Sequence, residues 1–184
     1  YGFEHTAPHS IATQLYYTKG SPDKLLVSGE NAKKTYTRYY DWSHNKIIKT
    51  FPCRYKNFSK KNFLNTLFLP YDFTSSEKII KGLSSYLNNV PDNSLPKLLV
   101  KIHPVKIKSL KHILLKTKLE NIINLHKKKF TSNNKNNLVI VVGFTSTVIV
   151  ALEYGLSVLH ICPNPDLDSY SSYSGMVLKE VYVS

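Results

Sequence analysis

Two short stretches of the chain carry side chains suited to holding a phosphate, a third is a polar loop at another strand end, and a fourth could move a proton. His103 and Pro104 follow the apolar run 98–102, and Gly143-Phe144-Thr145-Ser146-Thr147 follows the apolar run 138–142. The polar loop opened by Pro163-Asn164-Pro165-Asp166 follows 157–162. A neutral imidazole donates a hydrogen bond to a phosphate oxygen, and as imidazolium it neutralises a departing nucleotide. Thr145, Ser146 and Thr147 stand where a helix is expected to begin, beside backbone N–H groups with no partner inside that helix. The same hydroxyls also serve as ordinary helix caps, and a histidine at a strand end can be a satisfied surface group. Both readings stay open. Glu153 lies two helical turns beyond Ser146, on the same face. It is either an acceptor for a ribose hydroxyl or a helix-terminal surface carboxylate. The opening Tyr1-Gly2-Phe3-Glu4-His5-Thr6-Ala7-Pro8-His9 places Glu4 and His5 in one loop, where either could be the general base for an acceptor hydroxyl.

The elements that must position these groups alternate. Apolar runs at 25–27, 46–49, 63–69, 98–102, 138–142 and 157–162 read as strands. Helices are expected at 30–40, from Ser75 or Ser76 to about Leu87, and at 146–154, where Gly155 supplies a C-terminal stop. Ile107, Leu110, Ile113, Leu114, Leu119, Ile122 and Ile123 recur near helical spacing with lysines between them, giving a long amphipathic helix. The run Leu138-Val139-Ile140-Val141-Val142 has the unbroken apolar character of a strand covered on both faces. The expected class is therefore α/β with a Rossmann-like parallel sheet. Ligands of such sheets bind beyond the carboxyl ends of the strands, which is where the candidate residues fall.

Hydrophobic residues make up 42% of the 184 residues, enough to build a core. Cys53 and Cys162 are too few and too far apart for a disulfide framework and suit a reducing compartment. No apolar run reaches the roughly 20 residues of a membrane span, and no signal peptide is visible. The chain opens on Tyr1, as expected of a fragment of a longer protein. Its net charge is +13, and between Lys97 and Lys135 eleven lysines face one acid, Glu120. That balance favours anionic partners such as nucleotide phosphates, acidic glycans or lipid headgroups, although a solvated basic face accounts for it equally well. The histidines lack partners at metal-ligand spacing, so no metal site is expected. The P-loop, dinucleotide and nucleophile-elbow patterns are absent.

Taken together, Leu98-Leu99-Val100-Lys101-Ile102-His103-Pro104, then about forty positions on Val142-Gly143-Phe144-Thr145-Ser146-Thr147 and Ala151-Leu152-Glu153-Tyr154-Gly155, resemble the C-terminal half of GT-B glycosyltransferases. The pattern is similar to bacterial sialyl- and polysialyltransferases, with their HP and SS/ST motifs, and to CDP-glycerol glycerophosphotransferases of surface and capsular polysaccharide synthesis. Phe3-Glu4-His5-Thr6, Pro22-Asp23-Lys24-Leu25-Leu26-Val27-Ser28-Gly29 and Phe51-Pro52-Cys53-Arg54-Tyr55 resemble the end of the family's N-terminal domain, with Glu4-His5-Thr6 in place of its usual Gln-His-Gly triplet. The resemblance implies residues 1–55 as the tail of an N-terminal Rossmann-like domain and 56–184 as the nucleotide-binding domain. It implies that His103, Pro104, Thr145, Ser146 and Thr147 hold the donor phosphate, Glu153 supports the nucleotide, and His5 or Glu4 acts on the acceptor.

The donor it implies is nucleotide-activated and cytidine-linked, the acceptor a growing glycan or glycolipid, with transfer independent of metal and no cofactor. The implied location is the cytoplasm, peripheral to the inner membrane face, where lysines of the long helix meet anionic lipid or a growing acidic glycan. A nonhydrolysing sugar-nucleotide 2-epimerase would share the architecture but needs more cleft carboxylates. A basic nucleic-acid- or lipid-binding module would use the lysines alone. Nucleic acid is not an expected partner, since no known binding motif is present and the lysine face lacks interleaved aromatics.

Overall fold

The computed structural model describes residues 1–3, 16–50, 59–131, 138–143, 145–164 and 179–183. In chain order these form β1 (Gly2–Phe3), β2 (Leu25–Val27), α1 (Glu30–Tyr39), β3 (Ile47–Lys49), β4 (Thr66–Phe68) and α2 (Ser76–Asn89). Then come β5 (Leu95–Pro96), β6 (Leu99–Lys101), α3 (Leu110–Leu125), β7 (Phe130–Thr131), β8 (Leu138–Val142), α4 (Thr147–Glu153), β9 (Ser157–Cys162) and β10 (Lys179–Tyr182). The fold is mixed α/β with parallel sheets.

The main sheet has five strands in the order β10-β9-β8-β4-β6, all paired in parallel. A parallel sheet needs cover on both faces, and the alternation along β8 shows how it is met. Ile140 and Val142 point into a core with Ile79, Leu83 and Leu87 of α2 and Leu115 and Leu119 of α3. Val139 and Val141 point the other way, onto Val148, Ile149 and Ala151 of α4. A separate three-stranded parallel sheet, β1-β2-β3, packs Leu25, Val27 and Ile47 against Ala32 and Tyr36 of α1, with Tyr40 and Trp42 closing the cluster. Strand pairing thus divides the described chain into residues up to 50 and residues from 59 on.

Three elements depart from the sequence reading. The strand expected over 63–69 begins only at Thr66. Asn65 adopts φ +52, a left-handed conformation that asparagine tolerates and an extended strand cannot contain. Phe63, ahead of that kink, turns into the α4-side core. The long apolar helix also splits its residues between two sides. His112, Leu115 and Leu119 face the core, whereas Ile107, Leu110, Ile113 and Leu114 are exposed. β10 was not anticipated, because it follows a polar loop and carries Lys179 and Glu180.

The covering of β8 fixes where stability resides. Ile140→Ala, fully buried, is expected to cost about 2–5 kcal/mol, whereas Leu114→Ala on exposed α3 changes stability by no more than about 0.5 kcal/mol. Urea titrations of both variants check this, and equal midpoints would contradict the assignment of the core.

Candidate functional site

The strand order makes β4 the turning point of the sheet. The chain steps from β4 outward to β6, then returns across β4 to β8 and proceeds to β9 and β10. Connections leaving in opposite directions from adjacent strands open a crevice at their carboxyl ends, the usual ligand position in such sheets. A cleft of about 340 Å³ lies there, lined by Asn62, Phe63, Phe68 and Leu69, by Lys101 to Val105, and by Thr145, Ser146 and Thr147. A larger groove of about 500 Å³, bordered by Lys97, Glu120, Lys127 and Phe130, lies beside Leu98 ahead of β6. It faces the amino end of that strand and gathers none of the candidate groups.

Each wall of the cleft is held by identifiable contacts. On the β6 side, the backbone N–H of Val105 donates to His103 Nδ1 at 3.3 Å. This bond places the ring proton on Nε2 in the neutral tautomer. The imidazole stands edge-on to Tyr71, with ring centroids 5.3 Å apart. Lys101 Nζ donates to the Asn62 carbonyl at 2.8 Å and lies 5.7 Å from the centroid of Phe68. Phe63 and Phe68 give the cleft an aromatic floor, their rings tilted at 46° with centroids 5.6 Å apart, and Phe63 meets Tyr154 behind it at 5.5 Å. Burial pushes the Tyr154 phenol above its ordinary pKa. Beside Tyr71, the Phe73 N–H and then the Lys111 ammonium hold the Asp72 carboxyl below the usual carboxylate range.

On the β8 side, Gly143 makes the turn with φ +65, in the left-handed region that glycine enters without steric cost. Its N–H donates to Ile161 O at 2.9 Å, and its carbonyl accepts from His160 Nε2 at 2.7 Å. His160 is fully buried, and Cys162 Sγ lies 3.4 Å from its Nδ1, so the thiol donates to that nitrogen. This buried pair positions the turn that delivers the hydroxyls. The one signal of it in the sequence is a histidine inside the otherwise apolar run 157–162.

The hydroxyl cluster divides its work. The Thr147 N–H donates to Thr145 Oγ1 at 3.3 Å, and the two threonine hydroxyls lie 3.1 Å apart. Thr145 therefore caps the helix, and part of the backbone expected to meet a phosphate is already engaged. Ser146 stands at the N-cap position without capping through its side chain. α4 is also short, at seven residues, so hydroxyls rather than a long helix dipole characterise this wall.

His103, Pro104, Thr145, Ser146 and Thr147 thus share one cleft, but Glu153 does not join them. Its carboxylate turns to the other sheet and accepts the backbone N–H groups of Glu30 at 2.9 Å, Asn31 at 2.8 Å and Ala32 at 3.3 Å. α1 begins at Gly29, which has no side chain to cap it, and Glu153 supplies the missing acceptor from across the chain. A Cβ at Gly29 would stand 2.3 Å from the Glu153 carboxyl carbon, so only glycine admits the carboxylate. With both oxygens given to α1, Glu153 latches the two sheets together and does not line the cleft. Nearby, Lys49 lies 2.9 Å from Glu30 and holds that carboxyl below its ordinary range. Glu4 and His5 lie outside the described residues, as do Cys53, Phe144, Pro165 and Asp166.

Comparison of the chain with protein-family models, with curated proteins and with solved structures gives no match.

The latch is testable by itself. Glu153→Gln keeps the shape but removes the charge that strengthens hydrogen bonds to amides, and Gly29→Ala drives a methyl into the carboxylate. Each is expected to lower stability by about 1–3 kcal/mol, measured by thermal unfolding. Wild-type melting in both variants would show that the sheets do not depend on this contact.

Proposed function

We propose that the cleft at the carboxyl ends of β6, β4 and β8 binds the phosphate of a nucleotide-activated donor. On this reading the chain is the donor-binding half of a GT-B-type glycosyl- or glycerophosphotransferase acting in surface-polysaccharide synthesis. The observation that carries the reading is the meeting of His103 and Lys101 with the Thr145, Ser146 and Thr147 hydroxyls at the sheet's turning point. Nothing in that set is acidic. An anionic group entering it meets an imidazole N–H, an ammonium and hydroxyl donors, and no carboxylate stands among the described lining residues.

The rest of the cleft suits the rest of such a ligand. Phe63, Phe68, Leu69 and Ile102 form an apolar floor beside the polar rim, as expected for a ligand with a flat or apolar part joined to a phosphate. In the transfer step, the departing nucleotide phosphate gains negative charge. Hydrogen bonds from His103 Nε2 and the hydroxyls strengthen with that charge, stabilising the transition state more than the bound donor. The donor set supplies this neutralisation from side chains alone, so the proposed transfer proceeds without a divalent metal. Glu4 or His5 is the proposed base for the acceptor hydroxyl. A cytidine nucleotide is proposed as the donor's carrier, a growing glycan or glycolipid as acceptor, and the cytoplasmic face of the membrane as the place of action. These three rest on the motif resemblance.

Two outcomes are expected. CMP and CDP bind the chain in titration calorimetry with chelator present, more tightly than GDP; strict magnesium dependence or a guanine preference would contradict the reading. His103→Ala and Ser146→Ala each remove a hydrogen bond to an ionised phosphate, worth about 1.5–3 kcal/mol, and so weaken nucleotide binding roughly ten- to hundredfold. Their melting temperatures should stay near wild type, since both residues stand at the open ends of their strands. If Ser146→Ala melts much lower yet binds nucleotide normally, the hydroxyl is a structural group and not a ligand contact.

A further inference from the structure

We infer that the outer face of α3 and the turn before it form a docking surface for an anionic lipid bilayer. Val105 is 71% exposed, Ile107 60%, Leu110 70%, Ile113 41% and Leu114 54%. Leu110, Ile113 and Leu114 fall at i, i+3 and i+4, so they share one side of the helix, with Ile107 a turn earlier. Buried His112, Leu115 and Leu119 occupy the opposite side, so these apolar residues are not a core stripe that slipped. His112 fixes the rotation of the helix. Its Nε2 donates to the Pro70 carbonyl at 3.3 Å, the Ser109 hydroxyl lies 2.9 Å from Nδ1, and its ring meets Phe73 at 5.0 Å. The outward apolar face is therefore a designed feature of how α3 sits.

Charge identifies the occupant. From Val105 to Lys118 the chain carries Lys106, Lys108, Lys111, Lys116 and Lys118 and no acidic residue. Lys111 pairs with Asp72 at 3.2 Å and Lys116 with Glu120 at 3.7 Å, while Lys106 lies 4.2 Å from the Tyr71 ring centroid. Lys108 and Lys118 remain exposed beside the leucines. Apolar side chains flanked by lysines match the boundary between acyl chains and anionic headgroups, where leucine enters and lysine reaches back to phosphate. A second copy packed face to face would set lysine against lysine, and the two acids beside the face, Asp72 and Glu120, are each already paired with a lysine of their own chain. A polyanion in water would match the lysines and leave the leucines uncovered. Val105 belongs both to this face and to the cleft, so docking sets the cleft mouth beside the bilayer. The inference does not depend on nucleotide binding.

The test is flotation of the chain with vesicles of phosphatidylcholine alone and of phosphatidylcholine mixed with phosphatidylglycerol. The expected result is binding to the anionic vesicles only, weakened by added salt. The Leu110→Ser/Leu114→Ser variant should lose roughly tenfold or more of this partitioning, because two apolar anchors are removed, with its thermal melt unchanged. Lys108→Gln/Lys118→Gln should weaken binding as well. Absence of flotation overturns the inference, as does undiminished binding by the leucine variant, which would leave charge attraction alone. A wild-type dimer in light scattering that the leucine variant dissolves into monomers also overturns it, since the face would then belong to a second copy.

Discussion

β8 and its neighbour β4 must be buried on both faces, and the other arrangements follow from that requirement. The five residues of β8 offer no polar side chain, so they cannot face water on either side. α2 and α3 therefore lie on one face and α4 on the other. To reach both faces, the chain leaves β4 and β8 in different directions, and the gap at their carboxyl ends becomes the cleft. The cleft is thus a consequence of sheet packing rather than a separate invention. Its chemistry depends on which residues stand at 62–63, 68–69, 101–105 and 145–147.

The site inherits its rigidity from the same source. Gly143 is bonded to β9 through both its N–H and its carbonyl, and the carbonyl bond comes from a histidine inside the core. A buried imidazole costs stability unless its ring nitrogens are satisfied, and here Gly143 and Cys162 satisfy both. Polar groups in the interior of β9 are therefore spent on the turn that presents Thr145, Ser146 and Thr147. The hydroxyl wall is anchored to the sheet, while on the other wall His103 is in contact with Val105 and Tyr71.

Much of this was legible in the sequence because it follows from pattern. Alternating apolar runs and amphipathic stretches gave β2, β3, β6, β8 and β9 and all four helices to within a few residues. The residues after the runs at 98–102 and 138–142 named both walls of the cleft. Pairwise geometry is what the sequence could not supply. Glu153 shares a helix with the hydroxyls, so periodicity placed it near them. Nothing local reveals that three amides more than a hundred residues away would take its oxygens. Helical spacing likewise grouped Ile107, Leu110, Ile113 and Leu114 with Leu119, Ile122 and Ile123. The burial of Leu115 and Leu119 and the anchoring of His112 to Pro70 show which way the helix is turned. His160 went unread for a related reason, since a histidine in a strand declares its partner only after the neighbouring strand is in place.

α4 joins these observations. At one end Thr147 lines the cleft, and at the other Glu153 closes on the first turn of α1. The seven residues from Thr147 to Glu153, about 10 Å of helix at 1.5 Å per residue, run over the core on Val148, Ile149 and Ala151. A packed helix this short does not bend, so its ends move together or not at all. Whatever seats against Thr145, Ser146 and Thr147 therefore rests on an element whose far end is fixed to the other sheet by three amide hydrogen bonds. The carboxylate that leaves the cleft is thus not lost to it. Glu153 contributes by fixing α4, and the three-stranded sheet stands to the cleft as a support rather than a bystander.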